Sequence, residues 1–140
     1  VDSALNKKSG LLGVSGVSND MRDCLAAAEG GHERARLALE LFVHRIVQYV
    51  GAYYTVLPSV EAVVLTGGIG ENAVSIRADL CRRLGRLGAE LDESRNAATR
   101  GGKSGPITTP ASKLPVWVVA TDEELMIARD TLGIVRDGGN

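Results

Sequence analysis

The segment Thr66-Gly67-Gly68-Ile69-Gly70-Glu71-Asn72 constrains this chain more than any other stretch. An apolar strand-like run, Glu61-Ala62-Val63-Val64-Leu65, leads into it, and a helix-like segment from Asn72 to Leu84 leads out. Strand, glycine turn and helix in that order present free backbone N–H groups and a helix N-terminus to a phosphate. Gly67, Gly68 and Gly70 lack the Cβ atoms that would hold a nucleotide away from the backbone. Any tight strand-to-helix turn also favours glycine. Three glycines in four positions, directly after a strand, favour phosphate contact over a plain turn.

The turn is not a Walker loop, because the chain has no G-x-x-x-x-G-K-[ST]. Gly101-Gly102-Lys103-Ser104 imitates its end, but Ala97 stands where the first glycine would be. A looser dinucleotide pattern, G-x-G-x-x-A, is met by Gly68, Gly70 and Ala73, with Glu90 downstream as a ribose-binding acid. That pattern is short and common. It usually opens a domain, whereas here a long helical segment precedes it.

Flanking segments set the fold class. Residues 3–8 read as a helix end stopped by Gly10, and 11–17 as an extended or buried glycine-rich loop. A short helix runs from Ser18-Asn19-Asp20 to about Ala28. Apolar residues at Ala35, Ala38, Leu39, Phe42, Ile46, Val50 and Tyr53 predict a helix over 32–56, buried on much of its circumference and ended by Pro58. The helix after the glycine turn stops at Gly85. Leu87 to Leu91 reads as a strand, Asp92 to Thr99 as a helical turn, and 100–113 as a surface loop with a short strand near Ile107. Pro115 to Ala120 reads as a buried strand and Thr121 to Leu132 as the last helix. Helices alternating with single apolar strands indicate an α/β architecture. Residues 135–140 read as a frayed tail.

A chain of 140 residues is one domain or part of one. The formal net charge of −1 leaves no basic stripe for nucleic acid and no polybasic tail for membranes. The apolar runs are too short to span a bilayer, and no signal peptide is visible. Cys24 and Cys81 lack metal spacing and read as buried free thiols of a reducing, cytoplasmic compartment. His32 and His44 read as surface or structural residues. The first residue is Val1 rather than Met, which suggests processing or a piece of a longer chain.

Two further constellations carry chemistry. Thr121-Asp122-Glu123-Glu124 follows the last strand, and Thr121 with Glu124 has capping-box spacing. Glu123 lies between the two and is not needed by the cap. It is the candidate Mg²⁺ ligand, direct or through water. Asp20-Met21-Arg22 is the other. Asp20 caps a helix or accepts from a ribose hydroxyl, and Arg22 decorates the helix or neutralises phosphate oxygens.

Together these stretches resemble the C-terminal part of the acetate kinase family, the acetate/propionate phosphotransferases. Ala4 to Gly13 is similar to the family's segment before its Asp-x-Arg nucleotide contact. Ser18-Asn19-Asp20-Met21-Arg22 resembles that contact, and Thr66 to Asn72 resembles the adenosine loop. Thr121-Asp122-Glu123-Glu124-Leu125 resembles the metal-binding acid motif, whose first Glu holds Mg²⁺. The resemblance runs over about residues 2–134, in four ordered motifs.

The resemblance implies an incomplete ribonuclease-H-like, actin-like ATPase domain of the acetate and sugar kinase superfamily. ATP or ADP would bind through Asp20, Met21, Arg22, Gly68, Ile69, Gly70, Glu71 and Asn72, with Mg²⁺ at Glu123. The reaction implied is transfer of the ATP γ-phosphoryl to acetate, in which positioning and charge neutralisation dominate. The family's acyl-site residues lie upstream of Val1, so the chain alone is expected to be inactive, and the protein is expected to form a homodimer. Two other readings stand beside this one: a dinucleotide-binding oxidoreductase domain, and a non-catalytic structural fragment.

Overall fold

The structure, a computed structural model, describes residues 2–137. Four helices come first: α1 (Asp2–Lys7), α2 (Gly10–Ser15), α3 (Met21–Glu29) and α4 (Glu33–Val56). Then follow β1 (Val63–Leu65), α5 (Gly67–Asn72), α6 (Val74–Arg83) and a 3-10 turn over Leu84–Leu87. The chain continues with α7 (Glu93–Ala98), β2 (Gly105–Pro106), β3 (Val116–Val118) and α8 (Glu123–Asp137). The sheet order is β1-β3-β2. β1 and β3 are parallel, with Val64 opposite Trp117, and β2 is antiparallel to β3.

Helices separate β1 from the later strands, whereas β2 and β3 follow one another directly, and the fold is mixed α/β. The core forms where α4 and α6 meet one face of the sheet. Val43, Ile76, Leu80, Cys81, Leu84, Ile107, Leu114, Val116 and Val118 are buried there. α6 supplies its share by helical spacing: Ala73, Ile76, Leu80 and Leu84 recur every three or four residues. The other sheet face is open. Trp117 is 42% exposed and its strand neighbour Val64 57% exposed, so β3 is not buried throughout, as its apolar run predicts.

Several elements depart from the sequence reading. Residues 11–17 are not extended: α2 occupies 10–15 and ends at Gly16, whose φ of 71° is left-handed and whose N–H donates to Leu12 O. Arg34 on α4 donates to the carbonyls of Val14 and Gly13, so a distant residue completes this helix end. The helix after the glycine run does not stop at Gly85. It tightens into the 3-10 turn and ends at Gly88, φ 94°. That kink leaves Leu87 to Leu91 without a strand. The segment pairs with 107–114 through scattered bonds, and Leu91 bridges Thr108.

α4 has the predicted extent, and His32 caps it by accepting from Ala35 N at Nδ1. Its predicted burial holds only for its first half. Ala35, Ala38 and Val43 are buried, whereas Tyr49, Tyr53 and Val56 are 54%, 59% and 74% exposed. α8 is exposed from Glu123 to Arg136 and continues helical to Asp137, beyond the predicted fraying point; residues 138–140 of the predicted tail lie outside the described residues. No helix among the described residues is long and apolar enough to cross a membrane.

Candidate functional site

The turn into α3 builds one wall. Asp20 is its N-cap: Oδ1 accepts from Arg22 N at 2.8 Å. The Arg22 side chain folds back, and its Nη2 donates to Asp20 Oδ2 at 2.6 Å. Hydrogen bonds from the Arg22 side chain, then from its backbone, hold the Asp20 carboxyl at about 2. Arg22 makes two contacts to each carboxylate oxygen, N and Nε to Oδ1 and Nε and Nη2 to Oδ2, so Asp20 can keep its cap and also accept from a ribose hydroxyl only where the Arg22 side chain turns away. Met21 is 5% exposed and anchors the turn in the core.

The glycine run builds the other wall, and its three glycines do different work. Gly67 has φ +71°, a conformation strained for any residue with a Cβ. A Cβ on Gly68 would meet nothing within 4 Å. A Cβ on Gly70 would lie 3.1 Å from the backbone carbon of Leu65, so this position is small because α5 crosses close over β1. The run is itself a six-residue helix rather than an open turn before one. The next helix begins after a break at Ala73, φ −85° and ψ 78°. Asn72 spans the run: Nδ2 donates to Gly68 O, and Oδ1 accepts from Gly101 N.

Between the walls lies a cleft of about 580 Å³. Asn19, Asp20, Met21, Arg22 and Leu25 line one side, and Gly68, Ile69, Asn72 and Ala73 line the other. Two motifs about fifty residues apart in sequence thus share one cavity. Leu25, Ile69 and Ala73 give it an apolar lining, and Asp20, Arg22, Asn19 and Asn72 add a carboxylate, a guanidinium and two amides. Such a slot suits a flat ring system bearing hydroxyls or charge.

Other predicted site residues lie elsewhere. Gly70 faces the strand and a smaller apolar cavity with Phe42 and Ile46. Glu71 Oε1 accepts from the backbone N–H and the hydroxyl of Thr121, at 3.0 and 2.9 Å. Those bonds, backbone first, hold the Glu71 carboxyl below its usual range. Glu71 therefore latches the glycine helix to the start of the Glu123 segment. Glu123 itself is exposed in the first turn of α8 and does not line the cleft. The capping box does not form. Asp122 is the cap, with Oδ1 accepting from Leu125 N, while Thr121 is engaged by Glu71. Among the described residues no three His, Cys, Asp or Glu side chains cluster as a metal cage, and Cys24 and Cys81 are free, buried thiols.

One residue escapes sequence inspection. Arg77, 1% exposed on α6, donates to Asn96 Oδ1, Asn96 O, Thr99 O, Gly70 O and Glu71 O. The signal was available: Arg77 sits on the same helical stripe as Ile76, Leu80 and Cys81, where a solvated arginine does not belong.

The family model for the acetokinase family matches residues 1–129. The chain belongs to the acetokinase family. It is 53% identical over 128 residues to an acetate kinase of Acholeplasma laidlawii, covering 91% of this chain and 32% of that one. It is 52% identical over 135 residues to an acetate kinase of Halothermothrix orenii, covering 96% of this chain and 33% of that one. Among solved structures it matches Porphyromonas gingivalis acetate kinase, TM-score 0.85 and 46% identity, over 96% of this chain and 33% of that one. A propionate kinase from Francisella tularensis matches with TM-score 0.81 and 41% identity, over 91% and 32% of the two chains. The chain thus spans about a third of the length of the curated relatives it matches, and its mixed α/β structure matches part of the acetate kinase structures. The family is one of kinases, hence of transferases.

Membership in a kinase family overturns the oxidoreductase reading, and the structure supplies the physical reason for its false match. Gly70 is fixed by strand packing, and Glu90 accepts from Thr109 Oγ1 rather than lining the cleft.

Proposed function

We propose that this chain is the nucleotide-binding, C-terminal part of an acetate kinase, with the ribonuclease-H-like topology of the acetate and sugar kinase superfamily. One observation carries the reading: the Asp20-Met21-Arg22 turn and Gly68, Ile69 and Asn72 of α5 share a single cleft of about 580 Å³. Ile69, Ala73 and Leu25 form the slot for adenine. Asp20 accepts from the ribose, and Arg22, whose side chain is 87% exposed, swings toward phosphate oxygens. Gly68 keeps the wall low where the nucleotide crosses it, and Asn72 fixes that wall.

Mg²⁺ would bind through Glu123. Mg²⁺ typically takes one or two carboxylates plus substrate phosphates and water, so a lone acid at a helix start fits it, where a protein-only cage does not. Bound there, the ion would neutralise charge on the phosphates. Glu71 holds Thr121 beside the glycine helix, which ties the metal-bearing segment to the nucleotide wall.

In the relatives' full length the reaction would be transfer of the ATP γ-phosphoryl to acetate. The 140-residue chain supplies the nucleotide half of that chemistry and, alone, does not turn over. The exposed apolar residues of α4 and α8 suit a homodimer contact. Thermal shift and calorimetry with Mg·ADP, Mg·ATP and NAD test the reading, since a ligand of the folded state alone raises apparent stability. Stabilisation by Mg·ADP and Mg·ATP but not NAD is expected, with no acetyl phosphate by hydroxamate trapping. Indifference to all three nucleotides would sink the proposal.

A further inference from the structure

We propose that Arg77 is the positioning residue of the cleft: from the buried face of α6 it fixes the glycine helix in the place where that helix meets a nucleotide. The inference rests on the nucleotide reading above and adds to it a residue that touches no ligand.

α5 needs such a residue. Gly-Gly-Ile-Gly-Glu-Asn is six residues with three glycines, far below the length at which a helix is stable by itself. Glycine is a poor helix former, so three of them in six residues weaken it further. In a continuous helix the carbonyls of Gly70 and Glu71 would accept from the N–H groups of residues 74 and 75. The break at Ala73 removes those donors, and Arg77 Nη1 takes both carbonyls instead. Nε and Nη2 take Asn96 Oδ1, Asn96 O and Thr99 O. All five guanidinium N–H groups are then used.

The partners are not incidental. Gly70 and Glu71 adjoin Asn72, which lines the cleft. Thr99 precedes Gly101, whose N–H donates to Asn72 Oδ1. Arg77 therefore holds both chain segments that Asn72 bridges, and closes a ring behind the cleft wall. Its charge faces two helix C-terminal ends, where the backbone dipole favours a cation. A lysine carries the same charge but lacks the planar fork that spans both ends.

The test compares Arg77→Lys and Arg77→Met with Leu84→Ala, a core truncation outside the ring. Each is measured by Mg·ADP calorimetry well below its melting temperature and by amide hydrogen exchange without ligand. Arg77→Lys is expected to weaken Mg·ADP about tenfold or more, the ~1.4 kcal/mol of roughly one lost contact. Exchange at residues 69–75 should accelerate at least as much, with Val116 and Val118 unchanged. Leu84→Ala should melt lower yet bind Mg·ADP within about twofold of the parent, because its damage is remote from the wall. A folded Arg77→Lys with parental affinity and exchange overturns the inference. So does a Leu84→Ala that loses affinity as Arg77→Lys does, because affinity then only follows global stability. Absence of Mg·ADP binding by the parent is a different failure. It removes the nucleotide reading, and Arg77 is then a structural clamp only.

Discussion

Two glycines two residues apart should respond oppositely to the same added methyl group. At Gly70 a new Cβ lies 3.1 Å from Leu65 C and 3.4 Å from Leu65 Cβ. Carbon atoms pack best at about 3.5–4.0 Å, and the obstructing atoms belong to β1, which is held by Val119 N donating to Leu65 O. Neither strand nor helix can give without losing those bonds. Overpacking of this kind costs about 1–3 kcal/mol, offset in Gly70→Ala by up to about 1 kcal/mol of helix propensity. Gly70→Val adds two more methyl groups against the strand and should lose about 2–3 kcal/mol net. At roughly 3 °C per kcal/mol for a chain of this size, its melting temperature falls by about 6–9 °C. At Gly68 the φ is not positive and the Cβ meets no protein atom, so Gly68→Ala should stabilise by about 0.5–1 kcal/mol. Because Gly68 lines the cleft, the same methyl group should weaken Mg·ADP. Thermal melts and calorimetry on both variants give the comparison. A Gly70→Val chain as stable as the parent that has lost Mg·ADP would refute this assignment of the two glycines, since the space over Gly70 would then belong to the ligand rather than to β1.

The cap of α8 separates two adjacent acids. Asp122→Ala should remove the bond to Leu125 N and fray α8, at about 0.5–2 kcal/mol for that helix, whereas Glu124→Ala should change it by less than about 0.5 kcal/mol. Because α8 is exposed from Glu123 to Arg136, amide exchange over 125–136 reports the loss better than global melting. Burial pushes the Cys81 thiol up to about 11 from 9.0. A raised folded value means stability present below pH 9 and lost as pH climbs through 11, by roughly 2–3 kcal/mol for a two-unit shift. Cys81→Ala should flatten that stretch of the stability–pH curve, and an unflattened curve would assign the loss to other groups.

Local grammar made most elements legible, because their causes are local. α4 was readable from its apolar spacing and Pro58, α3 from Asp20, and α7 from Asp92, each a side chain acting within a few residues of itself. What failed to read depends on partners far along the chain. α2 looks like a glycine-rich loop because its C-terminal carbonyls are met by Arg34, some twenty residues on. Thr121 looks like a capping-box residue because nothing near it shows that Glu71, fifty residues before, takes its hydroxyl. Gly70 looks like a ligand glycine because its close neighbour is the preceding strand's backbone, a contact made by folding and not by sequence order. The cleft itself falls between these cases. Its two walls were found as motifs, but only tertiary structure brings residues 19–25 against 68–73. Arg77 is the instructive omission. A charged residue on an otherwise apolar helical stripe signals a buried hydrogen-bonding need, and the nearest backbone with carbonyls to spare is the broken glycine helix seven residues before it. Three glycines in six residues leave α5 too weak to stand alone, so the buried cation on the next helix follows from the glycine run.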